Sequence, residues 1–187
     1  MNSSDRICRH LHLPLQAGSD AVLKAMNRHY TVAEYEALIA RLRSRINGLT
    51  VSTDLILGFP GETEALFEDT METLKRLNFS HIHAFPYSPR KGTPAATMEG
   101  QIDTAEKKRR VELVNELSAR QKAALLESLV GTNALVLVET QEGTDGEGFT
   151  GNYERVALSG LSEGARGTVV SVALVGTDGK KLLGKAL

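Results

Sequence analysis

Residues His10-Leu-His-Leu-Pro-Leu-Gln-Ala-Gly18 decide how this chain reads. Apolar and polar side chains alternate there at period two, the pattern of a strand with one apolar and one polar face. Leu11, Leu13 and Leu15 fall on one side, and His10, His12 and Gln16 on the other. Leucines packing outward with imidazoles and an amide pointing inward predict a strand lining the mouth of a barrel, with a polar ligand inside. Two later segments repeat the arrangement. In Thr50 to Gly58, Ser52 and Asp54 share a face; in Phe79 to Tyr87, His81, His83, Phe85 and Tyr87 share one while Ile82 and Ala84 take the other. Burying three polar strand faces is costly unless something occupies the space between them, which argues for a cofactor or substrate cavity.

Helices separate these strands. A short one is expected over about Asp20 to Met26. A longer one follows over Thr31 to Ile46, opened by the capping box Thr31-x-x-Glu34. After the turn Gly58-Phe-Pro-Gly-Glu62, Thr63 caps a helix to Leu77, with Leu66, Phe67, Thr70, Met71 and Leu74 on one face. Strand–helix–strand–helix–strand implies parallel strands. Asp103 with Glu106 caps a long helix, roughly Thr104 to Val130.

All five prolines precede residue 95, whereas 11 of the 17 glycines lie from Gly131 onward, which marks a boundary near residue 130. Beyond it, Ala134 to Glu139, Phe149 to Leu158, Arg166 to Val175 and Lys181 to Ala186 read as strands of a small antiparallel barrel of about five strands. The expected fold is therefore α/β: residues 1–130 form part of a (β/α) barrel and residues 131–187 an all-β barrel. Met1 to Ser4 reads as an added start, and the chain as the C-terminal piece of something longer.

The 187 residues suffice for a core without disulfides. A net charge of -1 excludes a global basic field for nucleic acid. The single cysteine, Cys8, fits a reducing, cytoplasmic setting, and no apolar run is long enough to span a membrane. His10-x-His12 and His81-x-His83 read as lining a polar cavity rather than holding a metal, because no acid or cysteine sits at ligand spacing beside either pair. Asp54 is the only nearby inward carboxylate. Gly58 to Glu62 is a tight turn or a ligand loop, since glycines at a strand-to-helix junction let a ligand reach the backbone. Lys107-Lys-Arg-Arg110 is a solvated basic face or a phosphate-binding edge. Phe149 and Tyr153 either stack bases or fill the small barrel.

Several stretches together resemble one family: His10 to Ser19, Leu23-Lys-Ala-Met-Asn-Arg28, Thr53-Asp-Leu-Ile-Leu-Gly-Phe-Pro-Gly-Glu-Thr63, and Phe85-Pro-Tyr-Ser-Pro-Arg-Lys-Gly-Thr93. From about Arg6 to the C-terminus the chain is similar to the radical S-adenosylmethionine (SAM) methylthiotransferases. Residues 128–187 resemble the TRAM domain, an OB-like RNA-binding barrel. Gly148-Phe-Thr-Gly-Asn-Tyr153 resembles the subgroup that adds a methylthio group to C2 of N6-threonylcarbamoyladenosine at position 37 of tRNA; the isopentenyladenosine-tRNA and ribosomal-protein branches are the alternatives.

The resemblance implies that Gln16, Ser19, Arg28, Asp54, Gly58 and Phe85 bind SAM, with Ile56 and Leu57 as further apolar candidates beside adenine. Glu62 falls one place late of the family's acidic position. The resemblance also implies two [4Fe-4S] clusters whose ligand cysteines this chain lacks, so the chain by itself has no catalytic or metal-ligating residues assigned and is expected to be inactive. The implied partners are tRNA, gripped by the TRAM barrel and the Lys107–Arg110 helix, and an N-terminal domain of the same protein. Two rival readings are an RNA-binding module alone and a metal-dependent hydrolase built on the two His-x-His pairs.

Overall fold

A computed structural model describes residues 7–187; the reading of Met1 to Ser4 lies outside them. The elements run β1 (His10–His12), α1 (Asp20–Ala25), α2 (Val32–Arg45), β2 (Thr50–Leu57), α3 (Glu64–Leu77), β3 (His81–Pro86) and α4 (Thr104–Leu129). There follow β4 (Asn133–Glu142), β5 (Asp145–Thr150), β6 (Arg155–Ser159), β7 (Val169–Thr177) and β8 (Leu182–Ala186). The first three strands form one sheet in the order β1-β2-β3, and β2 and β3 are parallel. Among the described residues no helix is long and apolar enough to cross a membrane.

The caps form as the sequence requires. Thr31 and Glu34 exchange hydrogen bonds: the Thr31 N–H donates to Glu34 Oε2 at 2.8 Å and the Glu34 N–H to Thr31 Oγ1 at 3.2 Å. Thr63 Oγ1 accepts the Leu66 N–H, and Asp103 Oδ1 accepts those of Ala105 and Glu106. The opening strand is shorter than the alternation suggests. It stops at His12, two residues before Pro14, which has no N–H for a ladder. The chain rejoins the sheet at Gln16, whose φ of 70° lets its N–H reach the Asp54 carbonyl while its own carbonyl accepts the Ile56 N–H, both at 2.9 Å. The hydroxyls of Tyr30 and Tyr35 donate to the Leu15 and Leu13 carbonyls, satisfying the irregular stretch between.

The chain divides into two compact units. The α/β unit comprises His12–Arg45 and Val51–Ser118; the barrel unit comprises residues 7–11, Ile46–Thr50 and Ala119–Leu187. The division falls inside α4. The reason is Leu126, which is fully buried in the barrel core with Val136, Val138, Val156, Val172 and Leu182.

The barrel is closed in the order β4-β5-β6-β8-β7. Two expectations are corrected here. The barrel is not wholly antiparallel, because β6 and β8 pair in parallel to close it. Nor is Phe149 to Leu158 one strand: the Thr150 N–H donates to the Glu154 carbonyl and the Tyr153 N–H to that of Thr150, which makes a turn between β5 and β6. Breaks in register at Val138/Thr140 and Leu174/Gly176 supply the curvature closure needs. A Cβ at Gly148 would overlap the Leu137 carbonyl, and one at Gly184 the Val172 and Val156 side chains, so backbone approach at the first and core packing at the second leave these strand positions to glycine.

Candidate functional site

In the α/β unit the polar strand faces do converge. The parallel register sets Ser52 beside His81, Asp54 beside His83 and Ile56 beside Phe85. His12 reaches this surface from β1: its Nδ1 lies 2.9 Å from Ser52 Oγ and its Nε2 3.3 Å from Asp54 Oδ2. The His12 and His81 rings each meet His83 edge-on, at centroid distances of 5.7 and 4.3 Å.

Beyond this polar layer, at the carboxyl ends of β2 and β3, the surface turns apolar and opens into a cavity of about 590 Å³. Ile56, Phe85, Pro86, Tyr87 and Arg90 line it. Its volume suits a small molecule, and the carboxyl ends of parallel strands are where such sheets bind ligands. Phe85 is half exposed there.

The six residues singled out as cofactor contacts are distributed unevenly. Gln16, Asp54 and Phe85 stand on neighbouring positions of one sheet. Ser19 is buried at the head of α1 without a capping hydrogen bond from its side chain, and Arg28 is exposed just past the end of that helix. Gly58 closes a turn. Its φ is +72°, its N–H donates to Glu62 Oε2, and a Cβ there would overlap the Lys107 side chain. The Lys107 side chain packs where a Cβ would stand, so this position requires glycine both for its φ and for that contact.

Glu62, left without a role by its spacing, proves central to that loop. It is 1% exposed and receives the Arg110 Nη1 donor at 2.9 Å, while the same nitrogen donates to the Glu62 carbonyl at 2.7 Å. Burial pushes the Glu62 carboxyl up; the Gly58 N–H and Arg110 pull it back. Arg110 also donates from Nε to Glu106 and lies over the Phe67 ring.

This network takes up much of the Lys107–Arg110 run, read as a solvated basic face or a phosphate-binding edge, and leaves Lys108 exposed. Lys107 is buried with its ammonium over Tyr87, Arg110 is buried on Glu62, and Arg109 is paired with Glu64 and Glu106. Two of the four cations are paired with acids from the turn before α3, from the start of α3 and from the first turn of α4.

Hydrogen bonds from Arg109 and Arg110 hold the Glu106 carboxyl down at about 2. Its folded value lies below its unfolded one, so the stability it contributes is present above about pH 4.5 and is lost as pH falls through about 2. Glu106→Gln is expected to lower stability at pH 7 and to flatten the acid limb between those values. Urea unfolding at pH 7, 4 and 3 checks this; an unchanged acid limb would count against the ion-pair network.

The barrel unit carries a different surface. The Phe149 and Tyr153 rings stack at 5.0 Å, His10 stacks on Tyr153 at 5.2 Å, and the Arg155 guanidinium lies 5.1 Å from Phe149. Tyr153 is 62% exposed with a φ of 63°, so these rings do not fill the barrel. The turn is held from below: the Arg9 N–H donates to the Gly151 carbonyl and Thr50 Oγ1 to that of Asn152, both at 2.8 Å. Beside it Glu154, 1% exposed, takes the ammonium of Lys122. Arg155, Phe149, Tyr153 and His10 thus form one stack in which Tyr153 is the exposed ring; aromatic rings and guanidinium groups are side chains on which bases can stack.

Residues 3–74 match the model of the Radical SAM superfamily. That match takes in β1, α1, α2 and β2 and runs into α3. The chain's relatives extend the match over both units. It is 49% identical over 147 residues to the tRNA-2-methylthio-N(6)-dimethylallyladenosine synthase of Moorella thermoacetica, covering 79% of this chain and 33% of that protein. It is 40% identical over 185 residues to the protein of the same name from Chromobacterium violaceum, covering 97% of this chain and 41% of that one. With the threonylcarbamoyladenosine tRNA methylthiotransferase MtaB of Bacillus subtilis it shares 39% over 183 residues, 94% of this chain and 40% of that protein. The chain thus spans roughly a third to two fifths of these relatives.

Radical SAM proteins as a class use SAM and iron–sulfur clusters. The cavity fits the first: Ile56, Phe85 and Tyr87 offer apolar surface to a nucleobase, and Arg90 offers a guanidinium to a carboxylate. This chain's residues do not fit a cluster, which needs several thiolates where the sequence has only Cys8.

Proposed function

We propose that this chain forms part of a tRNA methylthiotransferase, with its α/β unit holding SAM and its barrel unit holding tRNA, and that the base modified is N6-threonylcarbamoyladenosine. The observation that carries the reading is the cavity at the carboxyl ends of β2 and β3, lined by Ile56 and Phe85 within the α/β unit. Gln16, on the adjacent segment, pairs through its backbone with the strand that carries Ile56. The choice of base is supported by Gly148-Phe-Thr-Gly-Asn-Tyr153, because this segment builds the stack: Gly148 lets β5 approach β4, and the turn presents Tyr153 to solvent against the half-buried Phe149.

The test is a chimera in which this chain follows the N-terminal part of the Bacillus subtilis relative. After cluster reconstitution, tRNA nucleosides are analysed by mass spectrometry. Methylthio-threonylcarbamoyladenosine is the expected product. Methylthio-dimethylallyladenosine instead would overturn the choice of base, and no methylthiolated nucleoside would overturn the activity. In filter binding, Tyr153→Ala and Phe149→Ala are each expected to weaken tRNA binding by about 5- to 150-fold, the range for losing one stacked base. Unchanged affinity in both would remove the stack from the interface.

A further inference from the structure

The polar layer beneath the cavity has a geometry that SAM binding does not require. One ligand atom from each of His12, Asp54 and His83 lies within 4.8 Å of the others. The three residues come from three neighbouring strands, so no short sequence spacing betrays them. We propose that His12, Asp54 and His83 form a site for a late first-row divalent cation, Zn²⁺ being the probe of choice. The proposal does not rest on the tRNA reading.

Distance and orientation carry it. His12 Nε2 and Asp54 Oδ2 stand 3.3 Å apart. A charge-assisted hydrogen bond between them would draw them to roughly 2.7–2.9 Å. Two ligands each about 2.0–2.2 Å from a shared tetrahedral ion are separated by about 3.4 Å, which follows from the bond lengths and the tetrahedral angle. His12 is also oriented as a ligand. Its Nδ1 is engaged by Ser52 Oγ at 2.9 Å, which turns Nε2 toward the carboxylate. Such an outer contact fixes the tautomer and ring plane of a metal-bound histidine. His83 is Asp54's register partner on a parallel ladder, and its ring is braced edge-on by His81 at 4.3 Å.

Two imidazoles and one carboxylate suit zinc and its neighbours rather than calcium or magnesium, which take oxygen ligands. Three protein ligands leave a fourth position for water or another molecule. His12 and His83 are exposed and Asp54 half-buried, so an ion has a path in.

The test uses the full 187-residue chain carrying Cys8→Ser, which removes the single thiol. After stripping with chelator and dialysis, it is titrated with Zn²⁺ by calorimetry at pH 7.5. One saturable equivalent is expected. His83→Gln and Asp54→Asn should each weaken binding at least tenfold, and Ser52→Ala about 10- to 100-fold, through loss of the outer contact alone. His29→Ala, outside the cluster, should change nothing. His83 is exposed and Asp54 half-buried, Ser52 is buried but small, and circular dichroism of each variant verifies the fold. Absence of a one-equivalent site overturns the proposal, as does binding that survives His83→Gln and Asp54→Asn.

Discussion

Arg110→Met is expected to destabilise the α/β unit by about 3–5 kcal/mol, the cost of leaving a buried carboxylate without its partner. Arg110 is buried, and it supplies donors to both the side chain and the carbonyl of Glu62. Without it, a 1%-exposed carboxyl keeps only the Gly58 N–H. Against a typical total of about 5–15 kcal/mol, the loss is a large fraction. Its dependence on pH identifies the mechanism. The unpaired Glu62 would have a folded pKa raised further above its unfolded value. The deficit should therefore be smallest below about pH 4.5, where both states are protonated, and grow as pH rises. Adding Glu62→Gln to Arg110→Met should recover part of the loss at pH 7. Urea unfolding from pH 4 to 8 measures both; a deficit independent of pH would point to lost packing on Phe67 instead.

Lys122→Met is the second large effect, at about 3 kcal/mol, in the barrel unit. Glu154 is as deeply buried as Glu62, and burial pushes its carboxyl up against the pull of Lys122. Lys122 is one-fifth exposed, so water relieves part of the cost and the lower end of the range applies. An exposed pair would be worth only about 0–1 kcal/mol, so a measured loss below 1 kcal/mol would falsify this assignment. A second readout follows from position. The Glu154 N–H donates to Thr150 Oγ1 and its carbonyl accepts the Thr150 N–H, so Glu154 anchors the turn that presents Tyr153. Lys122→Met should therefore also weaken tRNA binding, less than Tyr153→Ala does.

The two charged pairs show where the sequence is legible and where it is not. Glu62 and Arg110 are 48 residues apart, and Glu154 and Lys122 are 32 apart. Neither spacing is periodic, so each acid and base reads as an ordinary surface charge until the chain folds. The run Lys107–Arg110 shows the same thing in reverse: four adjacent cations look like a surface for phosphate, yet Glu62, Glu64 and Glu106 take up two of them and Tyr87 a third. The aromatic pair Phe149 and Tyr153 was open to two readings because an alternating pattern does not say which face of a barrel strand is inside. The turn at Gly151 to Glu154 decides it by setting Tyr153 outside.

Local interactions are written in neighbouring residues, and these the chain declares without help. Period-two alternation in Ser52 to Ile56 and His81 to Phe85, and the caps at Thr31, Thr63 and Asp103, depend on contacts within a few residues, so these strands and helices and their order follow from the sequence alone. The meeting of His12, Asp54 and His83, the burial of Glu62 and Glu154, and the parallel β6–β8 closure depend on which distant segments become neighbours. Tertiary packing alone decides those, because desolvation and register are properties of the assembled sheet and barrel and not of any stretch of chain.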